Sequence, residues 1–155
     1  MRFVVDVMLG KLARWLRLLG YDTIYDQSYN DEALLKLSKS ENRILITRDV
    51  ELFKRASKEG VSSLLIHSTD LMGALSEISP LIKDSFIDSI GTRCTICNTP
   101  LVEADRSKIP SEEIPNISPL WSCPRCGKVY WHGSHWKGIE ERIKNIKTNI
   151  QDIKR

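Results

Sequence analysis

Four cysteines in two tight pairs, Cys94-x2-Cys97 and Cys123-x2-Cys126, constrain this chain more than any other feature. Two such pairs complete a tetrahedral Zn²⁺ site, and the second reads CPRCG, in which glycine lets the backbone turn beneath the metal. Four thiolates leave no open position, so the ion expected is one structural Zn²⁺ per chain and not a catalytic one. A pair of disulfides is the competing use of these residues, and it belongs in an oxidising compartment. The chain reads as cytoplasmic. Asp6 and Lys11 come too early for the apolar region of a signal peptide, and no run reaches the roughly 18 apolar residues of a membrane span.

The cysteines also divide the chain. Residues 1–90 hold 12 Lys/Arg against 13 Asp/Glu, whereas residues 91–155 hold 11 against 7, so the second part alone carries the net positive charge. Three units are expected: an α/β domain over 1–90, a zinc ribbon over 91–136 with a loop from Glu103 to Pro119, and a basic amphipathic helix over 137–155.

In the first unit apolar runs alternate with helical patterns. Arg2–Val5 has strand character, and Leu9, Leu12, Ala13, Leu16 and Leu19 line one face of a helix that Gly20 closes. Asp22–Tyr25, Arg43–Thr47 and Ser62–Ile66 read as further strands. Helices follow over Asp31–Ser40 with Asn30 or Asp31 as cap, from Asp49 to Gly60, and over Leu71–Phe86 with a break at Pro80. Such alternation requires a parallel sheet with helices on both faces, because parallel neighbours need crossovers.

Acidic residues fall where those strands end: Asp6 after the first, Asp26 after the second, Asp49 after the third and Asp70 after the fourth. Open parallel sheets bind ligands at their carboxyl ends. Carboxylates gathered there repel one another unless a cation neutralises them, and oxygen ligands suit Mg²⁺ or Mn²⁺, which can activate water against a phosphodiester. Each acid has a plainer use. Asp31 and Asp49 sit where helices need caps, and Asp26 and Asp70 where turns need Asp. Asp6 is harder to explain that way, because it ends a strand expected at the centre of the sheet. No Gly-rich phosphate loop, GxGxxG or Ser–His–Asp set offers other chemistry.

Opposite the apolar stripe of the first helix lie Lys11, Arg14 and Trp15, which suit a nucleic-acid strand or, equally, a solvated basic face with Trp15 tucked against a neighbour. Arg48 stands beside Asp49, able to meet a phosphate or to pair with an acid. His135 and Trp136 either grip RNA or pack the ribbon on the first unit. Ile139, Ile143, Ile146, Ile150 and Ile153 form a narrow seam on the last helix, too short for a coiled coil and therefore expected to dock on the chain's own body.

The strings MLGKLARWLRLLGYDT at Met8–Thr23, ILITRD at Ile44–Asp49 and VYWHGSHW at Val129–Trp136 closely resemble the Mut-seven C-terminal RNase domain family, in the right order over most of residues 1–136. The resemblance implies a PIN-like fold followed by a zinc ribbon, and an RNase activity. It places the family's acids at Asp6, Asp31 and Asp49, with Asp70 first choice for a fourth and Glu32 and Glu51 behind it. Relatives commonly carry a charged residue where this chain has Val7. The function expected is a Mg²⁺- or Mn²⁺-dependent endoribonuclease acting on single-stranded or structured RNA. The alternative is a non-catalytic module that binds ribosomal or transfer RNA.

Overall fold

The structure, a computed structural model, describes residues 1–82, 89–109, 114, 119–131, 133 and 136–154, with backbone alone at 136, 149, 150, 153 and 154. Four short strands, β1 (Arg2–Val5), β2 (Asp22–Ile24), β3 (Ile44–Thr47) and β4 (Ser63–Leu65), alternate with helices α1 (Gly10–Leu18), α2 (Asp31–Glu41), α3 (Val50–Lys58) and α4 (Leu71–Ile78). A single 3-10 turn over Val7–Leu9 precedes α1, and another over Ser79–Leu81 follows α4, where Pro80 ends the helix as expected. The expected continuation to Phe86 lies outside the described residues.

All four strands pair in parallel, in the order β2-β1-β3-β4. Because side chains alternate across a strand, the sheet splits its apolar residues between two cores. Phe3, Val5 and Ile46 face α1 and α4, joined by Leu12, Leu16, Leu75 and Ile78. Val4 and Leu45 face α2 and α3, with Leu34, Leu35 and Leu52. Helices on both faces are thus what buries a sheet whose central strands are mostly apolar, with Arg2 opening β1 and Thr47 closing β3. No helix among the described residues is long and apolar enough to cross a membrane.

Two antiparallel pairings build the second unit from β5 (Val102–Glu103), β6 (Trp121–Ser122) and β7 (Val129–Tyr130). The final helix, α5 (Trp136–Lys154), returns to the first unit. Ile143 and Ile146 are buried in the core shared by α1 and α4, so its seam docks on the chain itself. The side chains of Ile150 and Ile153 lie outside the described residues. Gly20, at φ +93°, ends α1, and a Cβ there would meet the Ser89 carbonyl at 2.3 Å, so the chain at Ser89 packs against a position only glycine fills.

The amino end of the sheet is tied by ions. Arg43 is almost fully buried and donates to the Phe3 carbonyl at 3.1 Å and to the Asp22 carboxylate at 2.9 Å, with Glu41 accepting at 3.1 Å. Burial by itself raises the Asp22 carboxyl, but hydrogen bonds from Arg43 and Asn98 outweigh it and hold the group down to about 2. A depressed folded pKa contributes stability above the unfolded value of about 3.9 that is lost as pH falls toward 2. Acid melting between pH 5 and 2 is therefore expected to lose on the order of 2 kcal/mol through this residue, and Asp22→Asn should remove that part of the pH dependence. An unchanged acid limb in Asp22→Asn would assign the loss elsewhere.

Candidate metal centres and nucleic-acid interface

The two Cys-x2-Cys segments fold alike. In each, the residue after the second cysteine takes a positive φ, Asn98 at 70° and Gly127 at 79°, and its N–H donates to the carbonyl of the first cysteine at 2.9 Å. The four sulfurs converge. Cys94 lies 3.6 Å from Cys126 and Cys97 lies 3.3 Å from Cys123, and all four atoms fall within 4.8 Å of one another. A tetrahedron with Zn–S bonds of about 2.3 Å has edges of about 3.8 Å, so the donor set fits zinc. Those separations are well beyond an S–S bond of about 2.05 Å, and all four cysteines are free. Tyr130 supports the cluster from outside: burial and the neighbouring Cys94 push its phenol up to about 12, so it stays protonated, 3.0 Å from the Cys94 sulfur.

The ribbon is bolted to the amino end of the parallel sheet. Buried Arg17 donates to the Thr23 carbonyl at 2.9 Å and to the carbonyls of Thr95 and Ile96, inside the first cysteine segment, at 3.1 and 2.8 Å. Asn98 accepts from the Thr23 N–H at 2.9 Å and donates to Asp22 at 2.8 Å. The second segment makes its turn with glycine, whereas the first uses a residue that tolerates the same φ and also carries a side chain able to bridge.

At the opposite, carboxyl end stand the acids. Strand order reverses between β1 and β3, the place at which open parallel sheets bind ligands. Asp6, 6% exposed, follows β1 at this point, accepting from the Val7 N–H at 2.7 Å and from the Thr47 hydroxyl at 2.8 Å. That same hydroxyl accepts from the Asp49 N–H at 3.0 Å, so Thr47 joins the two acids. Asp49 caps α3 through Oδ1, bonded to Glu51 and Leu52 N–H at 2.9 and 3.2 Å, while its Oδ2 takes no hydrogen bond among the described residues. Asp31 is not a cap. Asn30 caps α2, bonded to the Ala33 N–H at 2.9 Å, and leaves the Asp31 carboxylate with no hydrogen bond among the described residues. Asp31 is exposed, and partial desolvation first, then the negative charges of Asp49 and Asp6, raise its carboxyl above the ordinary value against the opposing charge of Arg55. The three acids therefore share one field, but they form an open set. Among the described residues, the four cysteines are the one group whose ligand atoms all gather within 4.8 Å.

The other acids have visible partners. Asp70, past edge strand β4, caps α4 with a 2.7 Å bond to the Gly73 N–H. Asp26 holds a turn through the Ser28 N–H at 2.8 Å. Glu32 pairs with Arg55, and exposed Glu51 with Lys54. Arg48 is half-buried beside the cluster and forms no ion pair among the described residues.

On α1, Lys11 and Arg14 are exposed. Trp15 is half-buried, packed on the core, with the Arg142 guanidinium 5.4 Å from its ring centre. It is thus tucked against α5, and it also lines, with Arg14, a cavity of about 380 Å³ between α1 and the ribbon. His135 lies outside the described residues, as does the side chain of Trp136. Reading the sequence missed Thr47, Arg17 and Asn98. A comparison of the two cysteine segments, with Asn98 standing where the other has Gly127, was the signal available for the last.

No curated protein and no solved structure gives a significant match to this chain. The family model described as Mut7-C RNAse domain matches residues 1–143, a span that takes in the acid cluster, all four cysteines and the first turns of α5. The chain belongs to the Mut7-C RNAse domain family.

Proposed function

We propose that this protein is a Mg²⁺- or Mn²⁺-dependent endoribonuclease of PIN-like type, with Asp6, Asp31 and Asp49 as the acids of its active site and Asp70 as a fourth carboxylate at the edge. The observation that carries this reading is Asp31: a carboxylate freed from capping by Asn30 and held in the field of Asp49 and Asp6. Like charges drawn together at the carboxyl end of a parallel sheet, where strand order reverses, suit a bound cation better than a cap or a turn. An open set fits this ion class as well, since Mg²⁺ usually takes one or two carboxylates and keeps places for waters and substrate phosphate oxygens. A divalent ion bound there supplies an activated water and charge relief for the phosphodiester. Thr47 fixes the Asp6 and Asp49 side of the site, and Arg48 stands ready to hold a phosphate. The structural Zn²⁺ belongs to Cys94, Cys97, Cys123 and Cys126.

The test is cleavage of a short single-stranded RNA by zinc-loaded protein with added Mn²⁺ or Mg²⁺. Internal cleavage that depends on the added ion is expected; tight binding with no product at any ion concentration would replace this reading with that of a non-catalytic RNA-binding module. Asp31→Asn should lose cleavage and also melt slightly higher than the parent in buffer without added divalent ion. The raised Asp31 pKa means that its charge opposes folding above that pKa, and Asn removes the charge. A lower melting temperature in Asp31→Asn would show that the carboxylate holds the fold instead.

A further inference from the structure

The cavity of about 380 Å³ between α1, the ribbon and the start of α5 is lined by none of the four cysteines and none of the clustered acids, although Tyr130, which touches Cys94, is part of its wall. Its lining brings together Arg14, Trp15, Arg93, Trp121, Lys128 and Trp131, with no acidic side chain among the described residues that line it. These come from three stretches far apart in sequence, so only the docking of the ribbon on α1 creates the site. Cations already lie over rings nearby: Arg142 is 5.4 Å from the centre of Trp15, and Lys128 Nζ is 5.3 Å from that of Tyr130.

Aromatic faces hold bases by stacking, and cations hold the phosphates on either side. A purely apolar partner gives no use to the cations, and an isolated anion gives none to the indoles. The volume is near the lower end of small-ligand sites, roughly 300–1,000 Å³, which suits one base rather than a duplex whose base faces are already stacked. Trp15 stands about 8 Å along α1 from its first residue, by a rise of about 1.5 Å per residue, and exposed Lys11 lies between it and the acid end of the sheet.

We propose that this cavity is a base-holding subsite for single-stranded RNA, in which one unstacked base lies against the indoles and its phosphates meet Arg14, Arg93 and Lys128. The choice of RNA as the polymer rests on the nuclease reading; the stacking itself does not. A strand seated here runs past Lys11 toward the acids, so the pocket sets a fixed distance between a held base and the place of cleavage.

The experiment uses the full chain, zinc-loaded and carrying Asp6→Asn, with no added Mg²⁺ or Mn²⁺. Binding of a short labelled single-stranded RNA is compared with that of an abasic sugar-phosphate strand of equal length and charge. The base-bearing strand should bind roughly 5- to 150-fold more tightly, the range for stacking one base on an aromatic side chain, and should quench tryptophan fluorescence. Trp131→Ala should erase the difference and Trp131→Phe should keep most of it, each with its one zinc retained. Lys128→Gln should weaken both strands and reduce the salt slope by about 0.7. Equal binding of the two strands by the unaltered pocket overturns the proposal, whatever the pocket variants do. Ion-dependent cleavage alongside equal binding would sink the pocket and leave the acid cluster standing; a clear base preference in a protein that never cleaves would do the reverse.

Discussion

Asp49→Asn is expected to lose RNA cleavage by at least on the order of 10²–10³-fold, the range for removing a single preorganised hydrogen-bonding group that stabilises a transition state, while its melting temperature hardly moves. The two roles of this residue separate cleanly. Its Oδ1 caps α3, and Asn caps about as well as Asp, so the helix keeps its first turn. Only the charge is lost. Asp6→Asn should lose cleavage to the same degree, because Thr47 ties the Asp6 carboxylate to the Asp49 backbone N–H and either neutral amide leaves the acid cluster short of one negative charge. Asp70→Asn should lose less, since Asp70 follows edge strand β4 whereas Asp6 and Asp49 follow adjacent central strands. Rates on single-stranded RNA in Mn²⁺ and thermal melts on the same samples decide the matter. Full activity in Asp49→Asn would leave that residue a cap and nothing more.

Zinc removal should have the largest effect on folding. The purified chain is expected to carry one Zn²⁺, and stripping it, or changing Cys126 to Ser, should melt the ribbon while the parallel sheet stays folded. The three strands of the ribbon are two residues each, too little to hold a core alone, whereas structural zinc binding contributes about 10–16 kcal/mol in small metal-dependent folds. The sheet should nevertheless feel the loss. Arg17 is buried and gives two of its hydrogen bonds to Thr95 and Ile96, so a disordered first cysteine segment leaves a charged group short of partners at a cost of about 1–3 kcal/mol. Arg17→Leu should therefore reduce the drop in sheet stability on zinc loss, as read by tryptophan-independent melting such as far-ultraviolet dichroism. Metal analysis that finds no zinc, with four freely reactive thiols in the native protein, would end this account.

What the sequence by itself determined was whatever depends on near neighbours. Apolar runs and their periods placed β1, α1 and β3 to within a residue or two, because alternation and the 3.6-residue stripe are local. Spacing alone picked out Cys94, Cys97, Cys123 and Cys126, because two residues between thiols is itself a statement about geometry. Acids at strand ends could likewise be read, since parallel strands all end on one side.

The tertiary structure decided which of those features meet. Strand order put Asp6 beside Asp49, and nothing local says that β3 lies next to β1 rather than β2. Capping at α2 was open between Asn30 and Asp31, and the fold gave it to Asn30, which freed Asp31 for the shared field; a one-residue difference of that kind turns on backbone angles, not residue type. Trp15 could have been a free stacking face or a core residue, and the docking of α5 and the ribbon made it partly both, half-buried with one wall of a cavity still open. Arg17, at the border of the apolar stripe, became the link to the ribbon because its guanidinium reaches carbonyls some 78 residues away in sequence. Long side chains and chain reversals bring such partners together, and their energies depend on burial and hydrogen-bond geometry that exist only once the whole chain has packed.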